Sequence, residues 1–103
     1  MLPTIIETPI FTKRIHQYLD NEHYRLLQIA LALNPERGAV IPGSGGFRKM
    51  RWQAKGHGKR GGLRVIYLWQ KSRGIIVLIY LYTKNELDNL TPSQIKALRK
   101  TLL

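Results

Sequence analysis

Hydrophobic positions at the start of the chain recur first at strand spacing and then at helical spacing. Residues 2–6 form a short stretch that is mostly β-branched, which predicts a first strand. Apolar residues at helical spacing over residues 9–19 predict a helix. Thr8 before Pro9 suits an N-cap followed by the first helical position, so the helix is expected to begin there.

A wide apolar face predicts a second helix that begins at Glu22. Asp20-Asn21 breaks the first helical pattern and provides a cap for the second. Asn34-Pro35 ends the second helix, because the residue before a proline avoids the α region. The two helices are expected to form an αα-hairpin packed on a sheet.

Three later stretches have the patterns of strands, at residues 47–53, 63–70 and 75–82. The last begins with the almost wholly apolar run 75–79, which is typical of a central strand covered on both faces. The Lys-Ser-Arg-Gly sequence at 71–74 predicts a hairpin turn between the second and third of them.

The chain ends on a predicted helix, which a capping box with proline at the first helical position introduces at residues 91–94. The element order is therefore β-α-α-β-β-β-α. This order predicts one α+β domain over residues 1–103 with a mostly antiparallel four-stranded sheet. The helices, which are the αα-hairpin and the C-terminal helix, are expected on one face of the sheet. The opposite face is expected to be basic.

Alternation along residues 47–53 separates two kinds of side chain. Met50 and Trp52 point to one face of the strand, and Lys49 and Arg51 point to the other. We expect the apolar pair to face the core, which leaves Lys49 and Arg51 exposed together.

The net charge of +11 comes from one segment of the chain. Residues 37–85 hold eleven Lys or Arg and no acid, whereas the rest of the chain holds six of each sign. Such asymmetry favours a polyanionic partner: nucleic acid, an anionic membrane or an acidic protein.

Several classes of protein are not expected. There is no Cys, which fits a reducing cytoplasm. The N-terminus lacks the basic and apolar regions of a signal peptide, and the longest apolar run, 75–82, is too short to span a membrane. The three His are scattered without a carboxylate cluster, so no metal or other cofactor is expected.

Residues 56–61 match G-x-G-x-x-G, but a predicted strand follows them where a dinucleotide-binding fold needs a helix. They predict a basic glycine-rich turn that approaches phosphates. The expected RNA-binding residues lie on this turn and its flanking strands. They are Arg48, Lys55, His57, Lys59, Arg60, Tyr67 and Tyr82. Core packing is the simpler interpretation of either tyrosine, or of Trp52, taken alone, and solvent exposure is the simpler one for His57.

RNA can be cut without a metal when its own 2′-OH attacks the adjacent phosphate. The reaction needs a base, donors for the charge that grows on the phosphate, and an acid for the leaving 5′ oxygen. Arg64 is predicted to stabilise the transition state, and Lys49 and Arg51 to position the phosphate. Lys84 is predicted to reach the same edge, where it, Lys55 or Lys59 is a candidate for proton transfer.

Three runs of sequence resemble the RelE/HigB-type toxins of bacterial toxin–antitoxin systems: Phe47–Arg51, Gly58–Tyr67 and Tyr82–Glu86. The order of elements is similar over nearly the whole chain. The resemblance implies a ribosome-dependent mRNA endonuclease that acts in the decoding site. It also implies a cognate antitoxin, with an acidic inhibitory segment and a helix-turn-helix domain of the HigA type, through which the toxin reaches operator DNA.

Carried over by position, the family's catalytic bases fall on Lys49, Arg51 and Arg64. The chain departs from the pattern at Asn85, where many relatives have Arg, and at Leu90-Thr91, where many have a tyrosine that stacks on RNA. Two alternatives stay open: a non-catalytic module that binds RNA or the ribosome, and a ParE-like gyrase inhibitor, which the density of bases disfavours.

Overall fold

The predicted helices and strands form in a computed structural model, which describes residues 1–53 and 62–102. Within these residues the fold is α+β, with three helices and one five-stranded sheet. A single 3-10 turn, Lys71–Arg73, joins the fourth strand to the fifth. The elements in order are β1 (Thr4–Glu7), α1 (Pro9–Ile15), α2 (Asn21–Leu33), β2 (Ala39–Val40), β3 (Phe47–Trp52), β4 (Leu63–Gln70), β5 (Ile75–Thr83) and α3 (Pro92–Lys100).

The sheet has the order β1-β5-β4-β3-β2 and is mixed. The pairs β2–β3, β3–β4 and β4–β5 are antiparallel, whereas β1 runs parallel to β5 with Thr4 opposite Ile75. The prediction of four strands was therefore wrong by one. The missed strand is β2, whose two residues lie opposite Lys49 and Arg48 of β3 and are too few to carry a period.

Capping side chains set the helix boundaries that the sequence predicts. The Thr8 hydroxyl accepts a hydrogen bond from the Phe11 N–H and donates one to the Ile79 carbonyl at 2.7 Å, so it also ties α1 to β5. Asp20 caps α2 through the His23 N–H. α1 ends at Ile15, earlier than predicted, and residues 16–18 form turns before Asp20 adopts the extended backbone of the next cap.

Apolar side chains cover both faces of the sheet. The hairpin-side core joins α1 and α2 to one face through Phe11, Leu27, Met50 and Tyr67, among others. The α3-side core joins Ile95 and Leu98 to Phe47, Ile66, Val77, Ile79 and Tyr82 on the other face. The expected basic opposite face is therefore wrong where α3 packs against the sheet.

The end of α3 is tied to the loop before β3. Arg99 donates hydrogen bonds to the carbonyls of Ser44 (2.8 Å) and Gly45 (3.3 Å), and its guanidinium lies 5.6 Å from the centre of the Phe47 ring. These contacts supplement the narrow apolar stripe of α3. Among the described residues, no helix has the length and apolar character needed to cross a membrane.

Candidate nucleic-acid interface

Two arginines face each other across adjacent strands. Arg51 of β3 lies opposite Arg64 of β4, and Arg64 in turn lies opposite Tyr82 of β5. Lys49, two residues before Arg51, points to the same α3 side of the sheet. The antiparallel pairing of β3 and β4 therefore brings together the three bases that the sequence predicts to act on a phosphate.

The two arginines line an open pocket of about 330 Å³ at the end of the β3–β4 ladder. Its described lining is Arg51, Trp52, Gln53, Gly62 and Arg64. Arg51 is exposed, whereas Arg64 is partly buried and donates a hydrogen bond to the Gly62 carbonyl at 3.2 Å. One arginine is thus held in place while the other is free to turn towards a ligand.

Like charges directly opposite each other in a sheet destabilise it. The described residues of this pocket include no carboxylate that would offset the charges of Arg51 and Arg64. An anion between the two guanidiniums would relieve the repulsion, and a phosphate matches the forked donors of arginine. The electrostatics of the pocket therefore favour a phosphate group.

Lys49 is tied to the segment between β5 and α3. Its ammonium donates a hydrogen bond to the Asn89 side-chain carbonyl at 2.8 Å. Sequence reasoning missed Asn89, and no pattern could have found it, because the contact joins residues 40 positions apart. The amide restrains the ammonium on the side of the sheet that carries Arg51 and Arg64.

Lys84 follows the last residue of β5. Thr83 lies opposite Leu63, so Lys84 is at the same end of the sheet as Gly62 in the pocket wall. The side chain is exposed. Its position is compatible with the predicted reach to the basic pair.

Arg48 lies apart from the pocket. Alternation turns it to the hairpin side, where it donates hydrogen bonds to the carbonyls of Gly38 (2.7 Å) and Glu36 (3.2 Å) and pairs with the Glu36 carboxylate at 3.7 Å. The structure thus uses Arg48 to fix the connection between α2 and β2. Its predicted RNA contact is not retained.

The two predicted RNA-binding tyrosines are buried. Tyr67 is 0 % exposed, and its hydroxyl accepts from the Gly38 N–H and donates to the Pro35 carbonyl. Tyr82 is 1 % exposed and belongs to the α3-side core. Both rings pack inside the protein, out of reach of RNA bases, so these two predictions are also not retained.

The Tyr82 hydroxyl nevertheless differs from its neighbours. Among the described residues, it is the one buried side-chain polar atom without a hydrogen-bond partner. Burial raises the pKa of Tyr82, and the guanidinium of Arg64 acts in the opposite direction. Tyr82 therefore stays a neutral phenol beneath the basic pair.

Four of the predicted contacts lie outside the described residues: Lys55, His57, Lys59 and Arg60. In the part of the chain that the structure describes, no three His, Cys, Asp or Glu side chains are grouped as metal ligands. The chemistry of the described site is that of cationic and aromatic side chains.

The carboxylate of Glu86 faces α1. It accepts hydrogen bonds from Tyr18 (2.5 Å), Arg14 (3.0 Å), and the backbone and hydroxyl of Thr83. Partial burial opposes ionisation, but these hydrogen bonds outweigh it and lower the pKa of Glu86 to about 2. The cluster fixes the chain as it leaves β5, directly after Lys84.

Replacing Glu86 by glutamine is expected to change acid unfolding. The fold favours the carboxylate, so its contribution is present above pH 4.5 and is lost as the pH falls towards about 2. Glu86→Gln should lower the melting temperature at pH 7 and flatten its decline below pH 4.5, as followed by circular dichroism. Asp88→Asn, at an exposed acid nearby, is the control. Parallel pH profiles for Glu86→Gln and the parent would contradict the assignment.

A comparison with solved structures supports the fold. A double mutant of the E. coli toxin RelE, solved in the free state, matches with a TM-score of 0.65 and 13% sequence identity. The alignment covers 100% of this chain and 100% of that one. At this identity the likeness shows a shared fold.

A comparison with protein families goes further. Residues 11–102 match the family described as the RelE toxin of the RelE/RelB toxin–antitoxin system. The match includes both strands of the basic pair, the Glu86 cluster and α3. The chain therefore belongs to the RelE toxin family.

Proposed function

We propose that this toxin is an endoribonuclease that cleaves mRNA in the decoding site of the ribosome and so inhibits translation. The observation that carries the proposal is the cross-strand pair Arg51–Arg64 in a pocket whose described lining has no acid. Membership of the RelE toxin family supports it. The pair supplies fixed positive charge where a scissile phosphate would develop negative charge.

The proposed reaction is an in-line transesterification. The 2′ oxygen of the RNA attacks the adjacent phosphorus, the bond from phosphorus to the 5′ oxygen breaks, and the products are a 2′,3′-cyclic phosphate and a 5′ hydroxyl. The 2′-OH gives up its proton to a base, and the leaving 5′ oxygen takes one from an acid. No atom is oxidised or reduced, and the step needs no co-reactant.

The position of each basic residue supports a separate role in this reaction. Arg64, held by Gly62 and partly buried, stabilises the charge that develops on the non-bridging oxygens. Arg51, exposed on the neighbouring strand, and Lys49, restrained by Asn89, position the phosphate. Lys84 is the candidate for a proton transfer at the same end of the sheet.

The cationic lining supports a route that does not depend on a metal ion. Two-metal nucleases gather several carboxylates around their ions. Arg51 and Arg64 instead provide the positive charge themselves, through forked guanidinium donors that match a phosphate.

The same positive charge supports the proposed partners. A chain of net charge +11 is drawn to ribosomal RNA and mRNA. We propose that a cognate antitoxin neutralises the toxin with an acidic segment, and that the toxin reaches operator DNA only within that complex. A HigA-like antitoxin with a helix-turn-helix domain would meet both requirements.

The test uses purified ribosomes paused on a defined mRNA, with cleavage mapped by primer extension. The toxin is expected to produce new 5′ ends in the decoding site. A single 2′-deoxy nucleotide at the cleaved position should abolish them, because it removes the nucleophile, while a 2′-deoxy nucleotide three positions away should not. Cleavage that persists across the 2′-deoxy position would refute the mechanism. Salt-dependent binding with no cleavage of unmodified mRNA would instead identify a non-catalytic binding module.

A further inference from the structure

The hydroxyl of Tyr82 is a buried polar group that the proposed reaction does not use. Tyr82 is 1 % exposed, and within the described part of the chain its oxygen has no hydrogen-bond partner. An unpaired buried hydroxyl costs a protein free energy that a phenylalanine of the same shape would avoid. A group of this kind indicates a role in another state of the site.

Tyr82 lies in one row with the basic pair. Arg51 of β3 is opposite Arg64 of β4, and Arg64 is opposite Tyr82 of β5. Residues directly opposite each other in an antiparallel pair share a face and lie within contact distance. Tyr82 belongs to the α3-side core, so this face is the α3 side of the sheet. Arg64 is thus flanked by Arg51 on one strand and by the phenol of Tyr82 on the other.

The chemistry of the two side chains suits a hydrogen bond between them. A guanidinium only donates, whereas the oxygen of a neutral phenol also accepts. Burial raises the pKa of Tyr82 and the Arg64 guanidinium opposes this effect, which indicates that the positive charge lies near the phenol oxygen. Because the core covers Tyr82, its hydroxyl influences a bound phosphate through Arg64 and not by direct contact.

In the free protein the Arg64 guanidinium is turned to the pocket wall. It donates to the Gly62 carbonyl at 3.2 Å, which is at the long end of the range for such bonds. The charge of Arg51 on the facing strand repels Arg64 and favours this position. A phosphate between the two arginines removes the repulsion, and other N–H groups of Arg64 then become free to settle on the phenol.

We propose that Tyr82 is a positioning residue for Arg64: when a phosphate binds, the phenol oxygen accepts a hydrogen bond from the guanidinium and holds its fork against the non-bridging oxygens. The catalytic use of that phosphate rests on the proposed function. The buried hydroxyl gains its partner only in the bound state, so its unpaired condition belongs to the free protein.

Nuclear magnetic resonance tests the hydrogen bond without any cleavage. The Cζ carbon of a tyrosine responds to hydrogen bonding at its hydroxyl, and selective labelling with ¹³C gives one signal for each of the five tyrosines. The probe is inorganic pyrophosphate, and Tyr82→Phe identifies the signal of Tyr82. Pyrophosphate is expected to shift this signal in a saturable manner and to leave the signal of Tyr67, in the hairpin-side core, unchanged. The shift should be lost in Arg64→Ala.

Two outcomes of this titration would overturn the proposal. They are a Tyr82 signal that does not move with pyrophosphate, and a shift that persists in Arg64→Ala. Both differ from failure of the proposed function, which the ribosome cleavage assay reports. A Tyr82 shift in a protein that cleaves no mRNA would reject the nuclease alone.

Replacing Tyr82 by phenylalanine separates positioning from packing. Tyr82→Phe is expected to slow single-turnover cleavage on the ribosome by about 10- to 100-fold, the loss of one hydrogen bond to a charged group. Its melting temperature is expected to equal or exceed that of the parent, because the change removes an unpaired buried hydroxyl. Cleavage by Tyr82→Phe at the rate of the parent would reject the positioning role.

Tyr67→Phe is the matched control. Tyr67 is equally buried, but its hydroxyl bonds to the Gly38 N–H and the Pro35 carbonyl. Its loss is expected to lower the melting temperature and to leave the cleavage rate unchanged, the reverse of the result for Tyr82→Phe.

A double-mutant cycle tests whether Tyr82 acts through Arg64. In an Arg64→Ala background, Tyr82→Phe is expected to change the single-turnover rate by less than about 2-fold, because the group that it positions is already absent. Equal losses from Tyr82→Phe in the parent and in Arg64→Ala would show that the hydroxyl acts independently, which would contradict the proposal.

Discussion

Replacing Arg64 by alanine is expected to reduce mRNA cleavage by about 100- to 1,000-fold, the cost of removing one preorganised donor from a developing anion. The effect should fall mainly on the rate constant of a single turnover on the ribosome, because Arg51 and Lys49 still hold the phosphate. Expression of the variant should no longer arrest growth. The measurement is the rate of appearance of cleaved ends with toxin in excess over ribosomes.

The fold should survive this change. Arg64→Ala removes one of two like charges that face each other, so its melting temperature is expected to equal or exceed that of the parent at low salt. Arg73→Ala is the matched control, because Arg73 is exposed on the turn at the other end of β4. A folded Arg64→Ala variant that cleaves as fast as Arg73→Ala would refute the assigned role.

Replacing Phe47 by alanine is expected to have the largest effect on stability. Phe47 is 0 % exposed, packs in the α3-side core and lies under the Arg99 guanidinium. Truncating a buried phenylalanine costs about 3–5 kcal/mol, a large part of the total of about 5–15 kcal/mol for a domain. The midpoint of urea unfolding, followed by circular dichroism, should fall accordingly.

Leu33→Ala is the control for Phe47→Ala. Leu33 is also a large apolar residue in a regular element, but it is 73% exposed at the end of α2. Its truncation is expected to change the free energy of unfolding by less than about 0.5 kcal/mol. Similar losses in the two variants would mean that the α3 side of the sheet is not a core.

Local features of the fold could be predicted because their causes are local. Thr8, Asp20 and Thr91 each bond to a backbone N–H three residues ahead, and these caps mark where α1, α2 and α3 begin. The apolar run at 75–79 likewise indicated a strand covered on both faces, and β5 has a core on each side.

Pairing between distant segments could not be predicted in the same way. β2 is a strand only because Val40 meets Arg48 of β3, and neither residue of β2 carries a pattern of its own. The face chosen by α3 depends on Ile95 and Leu98 meeting side chains of three strands. A narrow apolar stripe in the sequence does not specify which surface it will cover.

The residues of the candidate site that lie on strands could be predicted, because alternation along a strand determines which side chains share a face. Alternation placed Lys49 and Arg51 on one face, and the structure puts Arg64 opposite Arg51. The same reasoning does not distinguish an aromatic ring that stacks from one that packs, so it predicts an RNA contact for Tyr67, whose hydroxyl instead bonds to Pro35 and Gly38. That distinction depends on burial, which requires the tertiary structure.

The parallel pairing of β1 with β5 also governs the order of events during synthesis. The first strand leaves the ribosome early, but the strand that pairs with it begins only at Ile75. The Thr8 hydroxyl likewise bonds to a carbonyl 71 residues further along the chain. Closing so long a loop is slow, because the chain entropy is lost before the contact forms. The β3–β4 hairpin with its two arginines is a far more local unit. A newly made chain can thus pair its basic strands before β5, the partner of its first strand, is complete.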